Sequence, residues 1–161
     1  KRGALSAEQE TATIAVMTEL NASAAQAGHQ VGIHAATDVT GFSLLGHARE
    51  MATGAGLGLT LWMDCLPEIG GAREMLEQGI APGATARNLA HFGDDVEWDA
   101  AVTPVDRKLL GDPQTSGGLL FAVSPDKAAE LQEALTALGA LSSAVVGELT
   151  ADTQVQVRAQ R

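Results

Sequence analysis

His34-Ala35-Ala36-Thr37-Asp38-Val39-Thr40-Gly41-Phe42-Ser43-Leu44-Leu45-Gly46-His47 reads as the end of a strand, a tight turn and the start of a helix. Val31, Ile33 and the small residues after them suit a buried strand, and Gly41 supplies backbone freedom at the turn. From Phe42 the apolar spacing becomes helical, with Phe42, Leu45 and Ala48 on one side and Leu44 and Met51 beside them. Asp38 therefore lies near the carboxyl end of a strand, facing a helix start whose first N–H groups lack partners. Such a place suits an oxygen-liganded cation or an anionic group. It equally suits a plain helix cap, made by Asp38 or Thr40.

Outward from this stretch, composition bounds the rest. At 161 residues, 45% of them hydrophobic, residues 1–161 suffice for one domain with its own core. Aromatic content of 3% makes that core aliphatic. A formal net charge of −10 repels phosphate backbones and anionic lipid heads, which argues against nucleic-acid and membrane partners. No apolar run approaches the roughly 20 residues of a membrane span. The lone Cys65 excludes an internal disulfide and points to a reducing, cytoplasmic setting. The start Lys1-Arg2-Gly3, with neither Met nor an apolar leader, raises the expectation of a piece of a longer protein.

Ser6 with Gln9 forms a capping-box pattern that opens a helix through Ile14, Met17, Leu20 and Ala24 to Gly28, expected to cover one sheet face. Gly54, Gly56 and Gly58 follow a helix instead of opening one, so they are no dinucleotide fingerprint. Residues 57–63 alternate as a half-buried strand does. A short helix over Ala72 to Gln78 ends at Gly79; the loop from Ile80 leads to a helix through Asn88 and Leu89 with Thr85 as its N-cap. The acidic segment Gly93 to Asp99 lacks the ligand spacing of a calcium loop and reads as solvated surface. Thr103-Pro104 starts another short helix.

Gly111-Asp112-Pro113-Gln114-Thr115-Ser116-Gly117-Gly118 is a turn-forming loop before a strand over Leu119 to Val123. It reads either as a nest of N–H and hydroxyl donors for phosphate or as a structural turn. Ser124-Pro125-Asp126 starts a helix whose buried face is Ala128, Leu131, Leu135 and Leu138, and strands at Ala144–Val146 and Val155–Val157 close the chain. This order of elements predicts an α+β or α/β layered fold, a mixed sheet covered by helices. No P-loop, nucleophile elbow or paired His/Cys zinc spacing occurs. His29, His34, His47 and His91 are scattered, and Cys65 reads as a small packed hydrophobe.

The stretch from His34 to His47 resembles the signature of the selenide, water dikinase (selenophosphate synthetase) family, of the aminoimidazole ribonucleotide synthetase superfamily. So do Asp112 to Leu120 and Gly79 to Thr85 with Asn88, all in the family's order. The resemblance implies the C-terminal domain of a longer enzyme whose N-terminal half carries the reactive cysteine or selenocysteine, an essential lysine and further metal-binding aspartates. Cys65 stands at the wrong point to replace that nucleophile. The implied reaction turns ATP, selenide and water into selenophosphate, AMP and phosphate, with Mg²⁺ on the phosphates, in a homodimer. The family's one metal-binding aspartate in this half falls on Asp38, and the piece alone is expected to be inactive. Thr40, Thr115 and Ser116 are candidates for lining the same cleft, on the strength of their hydroxyls. Ser43 departs from the pattern, since many relatives have glycine there, and a slight change at the helix start is expected. A non-catalytic interaction or regulatory module, and another ATP-dependent enzyme of the superfamily, remain rival readings.

Overall fold

In the computed structural model, which describes residues 5–161, the helix expected from Ser6 to Gly28 is two helices. Helix α1 (Ala7–Thr18) opens with the full Ser6/Gln9 capping box. The backbone turns extended at Glu19, and α2 (Ala22–Val31) begins again after Asn21. Helix α2 ends at Gly32, in the left-handed conformation at φ 80°, and not at Gly28. Gly28 lies inside the helix because the Phe121 ring leaves no room: a Cβ there would stand 3.1 Å from it. No residue of α1 is buried, and of the two it is α2 that packs against β-structure. Val31 and Ile33 accordingly precede the strand, which is β1 (Ala35–Asp38).

Helix α3 (Ser43–Gly54) follows, burying Leu45 and Ala48 as the spacing predicts and Ala52 besides, while Phe42 is left half-exposed. Gly46 is where α3 meets α5 (Gly83–Phe92): a Cβ would come within 2.8 Å of the Phe92 ring. Strand β2 (Gly58–Trp62) is buried at every position instead of alternating. The sheet order explains this. β2 lies between β6 (Val155–Arg158), parallel to it, and β5 (Gly147–Thr150), antiparallel, in a four-stranded mixed sheet ordered β3-β6-β2-β5.

Strand β3 (Val96–Trp98) occupies the segment expected to be a solvated acidic loop, and it pairs in parallel with β6. Val96 is buried while Glu97 points to solvent, so three residues suffice for a strand that the charge run conceals. The strand expected at Ala144–Val146 is displaced to β5. β1 pairs outside the mixed sheet, antiparallel with β4 (Leu119–Ala122), placing Asp38 opposite Leu119.

Two aliphatic clusters result. One joins Leu45, Leu59, Leu61, Leu110 and Val157 across α3, the mixed sheet and α6 (Pro104–Leu110). The other joins Ala27 and Val31 of α2 to Leu131 and Leu135 of α7 (Ala128–Ala137), the face expected from sequence. Each fully buried leucine contributes about 2 kcal/mol. α4 (Ala72–Glu77) lies beside α6. The architecture is an α/β layered fold with a mixed sheet. Among the described residues no helix is long and apolar enough to cross a membrane.

Candidate functional site

The turn between β1 and α3 is held by a loop more than 70 residues further along the chain. Val39 donates its N–H to the Gly118 carbonyl at 2.9 Å, Gly117 donates to Val39 at 3.0 Å, and Gln114 donates to Thr40 at 3.0 Å. Gly117 is required by this approach, because a Cβ would lie 2.7 Å from the Val39 oxygen. The loop over residues 112–118 and the turn over residues 39–41 are thus one backbone unit.

Helix α5 ties the unit together from behind. The buried Asn88 amide donates to the carbonyls of both Gly41 and Gly111, each at 3.0 Å. Thr85 does not cap α5; Pro82 occupies the N-cap position, and Thr85 sits one turn in, buried, donating to Asp112 Oδ1 at 3.0 Å. Gln114 Nε2 donates to the other carboxylate oxygen of Asp112 at 3.3 Å. Burial pushes the Asp112 carboxyl above its ordinary range, against the pull of the Thr85 and Gln114 donors. Sequence reasoning took Thr85 for a cap and left Asn88 without a role. Their spacing of three, which puts two polar side chains on one helix face, was the available signal.

Asp38, the last residue of β1, is exposed, and none of the ion pairs among the described residues takes its carboxylate. It is not a helix cap, and neither is Thr40: Phe42 holds the N-cap position of α3 and no side chain bonds there. Thr40 is half-buried, its Oγ1 3.2 Å from His47 Nε2. Thr115 is exposed and Ser116 half-buried in the loop bonded to Val39 and Thr40. The fold therefore brings the Thr40 turn and the Thr115–Ser116 loop together at the carboxyl end of β1.

An apolar groove of about 990 Å³ runs between the two clusters and reaches Asp112, Gln114, Ser116 and Gly117. Asp38, Thr40 and Thr115 lie outside its lining. The exposed carboxylate and nearby hydroxyls are hard oxygen donors, which fit Mg²⁺ in kind. In number they fall short, since no group of three or more His, Cys, Asp or Glu that could hold a metal occurs among the described residues. Asp38 has the chemistry of one oxygen ligand and not of a complete site.

Ser43 departs from helical backbone with φ 67°, the left-handed region that favours glycine, at a fully buried position. Its hydroxyl is satisfied by the Phe42 carbonyl. Partial burial and then the adjacent Asp64 carboxylate raise the Cys65 thiol, the opposite of an activated nucleophile.

The family model described as AIR synthase related protein, C-terminal domain, matches residues 2–160. The chain belongs to this family. It is also similar to proteins named selenide, water dikinase. It is 42% identical to that of Pseudomonas aeruginosa, 41% to that of Pelobacter propionicus and 40% to that of Cronobacter sakazakii. Each likeness extends over 149 residues, 92% of this chain, but only 42%, 43% and 42% of the respective relative. The chain thus spans less than half the length of the curated relatives it matches.

Proposed function

We propose that this chain is the C-terminal domain of a selenide, water dikinase, and that in the full-length protein it completes a site for ATP and Mg²⁺. The observation that carries the reading is the convergence of three distant stretches on the carboxyl end of β1, where Asp38 stands exposed and without an ion pair among the described residues.

In this reading Asp38 supplies one metal ligand and the remaining ligands come from an N-terminal lobe of the same chain. Mg²⁺ bound there would offset the charge of the phosphate oxygens while ATP, selenide and water become selenophosphate, AMP and phosphate. The hydroxyls of Thr115 and Ser116, on the loop bonded to the turn after Asp38, orient the polyphosphate. The loop bearing them is fixed in advance by its three backbone bonds to Val39 and Thr40, so little ordering is left for the moment of binding. The full-length enzyme acts in the cytoplasm as a homodimer, and this domain alone makes no selenophosphate.

Asp38→Asn in the full-length protein tests this. Selenide-dependent ATP consumption should fall by at least a hundredfold while the melting temperature stays at the parent's value. Activity close to the parent's would remove Asp38 from the site.

A further inference from the structure

The His47 imidazole is in hydrogen-bond contact with the Thr40 hydroxyl. Its Nε2 lies 3.2 Å from Thr40 Oγ1, and its Nδ1 lies 3.7 Å from Glu50 Oε2, one turn along α3. The imidazole is largely enclosed, with 12% of its side chain exposed, and the Phe42 ring leans over it at 5.6 Å between centroids. A carboxylate on the Nδ1 side favours the ring proton there, leaving Nε2 as an acceptor. Thr40 must then donate its only proton to His47. Its oxygen lone pairs remain, so the hydroxyl can still accept but has no proton left to donate.

We infer that His47 is a positioning residue that turns the Thr40 hydroxyl into a fixed acceptor, so that Thr40 receives a hydrogen bond from a water of the hydrated divalent cation beside Asp38. The proposal rests on the metal reading of Asp38 given above. It separates Thr40 from Thr115 and Ser116, whose hydroxyls stay free to donate to phosphate. A fixed acceptor two residues from a carboxylate matches the outward-pointing protons of metal-bound water and disfavours direct contact with phosphate oxygens.

The test uses the full-length polypeptide carrying this domain and Mn²⁺ as the probe, with binding followed by electron paramagnetic resonance. Thr40→Val and His47→Ala should each weaken Mn²⁺ about tenfold, and the double variant should be no weaker than Thr40→Val alone. Thr40→Ser and His47→Gln, which keep the hydroxyl and an acceptor near the Nε2 position, should restore affinity to within about twofold of the parent. Long-range ¹H–¹⁵N correlation spectra should show His47 Nε2 without a proton. A proton on Nε2, or parent-like Mn²⁺ affinity in Thr40→Val while Asp38→Asn loses the ion, overturns this inference alone. Parent-like affinity in Asp38→Asn overturns the metal reading beneath it.

Discussion

The side-chain amide of Asn88 reaches the carbonyl of Gly41 across 47 positions of sequence, at 3.0 Å, from a buried place on α5. The same nitrogen serves Gly111 from its second proton. One amide group therefore pins both ends of the backbone unit that presents Thr40, Thr115 and Ser116.

Replacing Asn88 by Leu keeps the volume and removes both donors. Two carbonyls facing a buried side chain lose their partners, and each such loss costs about 1–3 kcal/mol. The three backbone bonds between the loop and the turn survive the change, so the protein should still fold, less stable by about 3 kcal/mol. Urea unfolding measures the loss. Hydrogen exchange should localise it, with faster exchange at Gly117 and Gln114, whose N–H groups bond Val39 and Thr40. A loss spread evenly over α5 would show that Asn88 acts through its helix and not through the loop.

Ser43 carries a strained backbone at φ 67°. A non-glycine residue there costs about 1–2 kcal/mol, more than the roughly 0.5–1 kcal/mol that glycine's extra unfolded-state freedom costs. Ser43→Gly and Ser43→Ala both give up the bond to the Phe42 carbonyl, and only Ser43→Ala keeps the strain, so the glycine variant should be the more stable of the two by about 0.5–1 kcal/mol. Chemical denaturation of the two variants orders them; equal midpoints for glycine and alanine would mean the positive φ carries no cost.

What the sequence showed and concealed follows from range. The α3 face and the Thr103 cap were legible because each is written in a local pattern of a few residues. The break between α1 and α2 was concealed because neither Gly nor Pro marks Glu19 to Asn21; apolar residues at helical spacing continue through Leu20, which is 76% exposed. β3 was concealed by its charges, since the period of two cannot be read over Val96–Trp98 alone. The family resemblance pointed to three stretches, but that Thr85 bonds Asp112 and Asn88 bonds Gly41 is tertiary information. Ser43 was marked as a departure from glycine, and the structure supplies the reason glycine suits it.

A pH dependence follows from the link between α4 and α6. Thr103 and Asp106 form a reciprocal cap, with Thr103 N–H and Oγ1 donating to Asp106 Oδ2 at 2.8 and 2.7 Å, and Arg73, itself paired with Glu68, donates to the other Asp106 oxygen. Burial alone would raise the Asp106 carboxyl; the Arg73 and Thr103 donors outweigh it and hold the carboxyl below its ordinary value. A depressed folded-state value means stability that is fully present above the unfolded carboxyl's pKa near 4 and is lost as pH falls through the folded value. Asp112 has the opposite sign, its raised carboxyl costing stability as pH rises through its folded value, so the parent's own pH curve mixes the two. Comparing the parent with Arg73→Met cancels Asp112, which both retain. Urea midpoints should differ clearly at pH 7 and draw together at an acid pH below the folded Asp106 value, where the carboxyl is protonated in both proteins. A gap of the same size at both pH values would mean that Arg73 contributes through the packing of its stem and not through the Asp106 carboxylate.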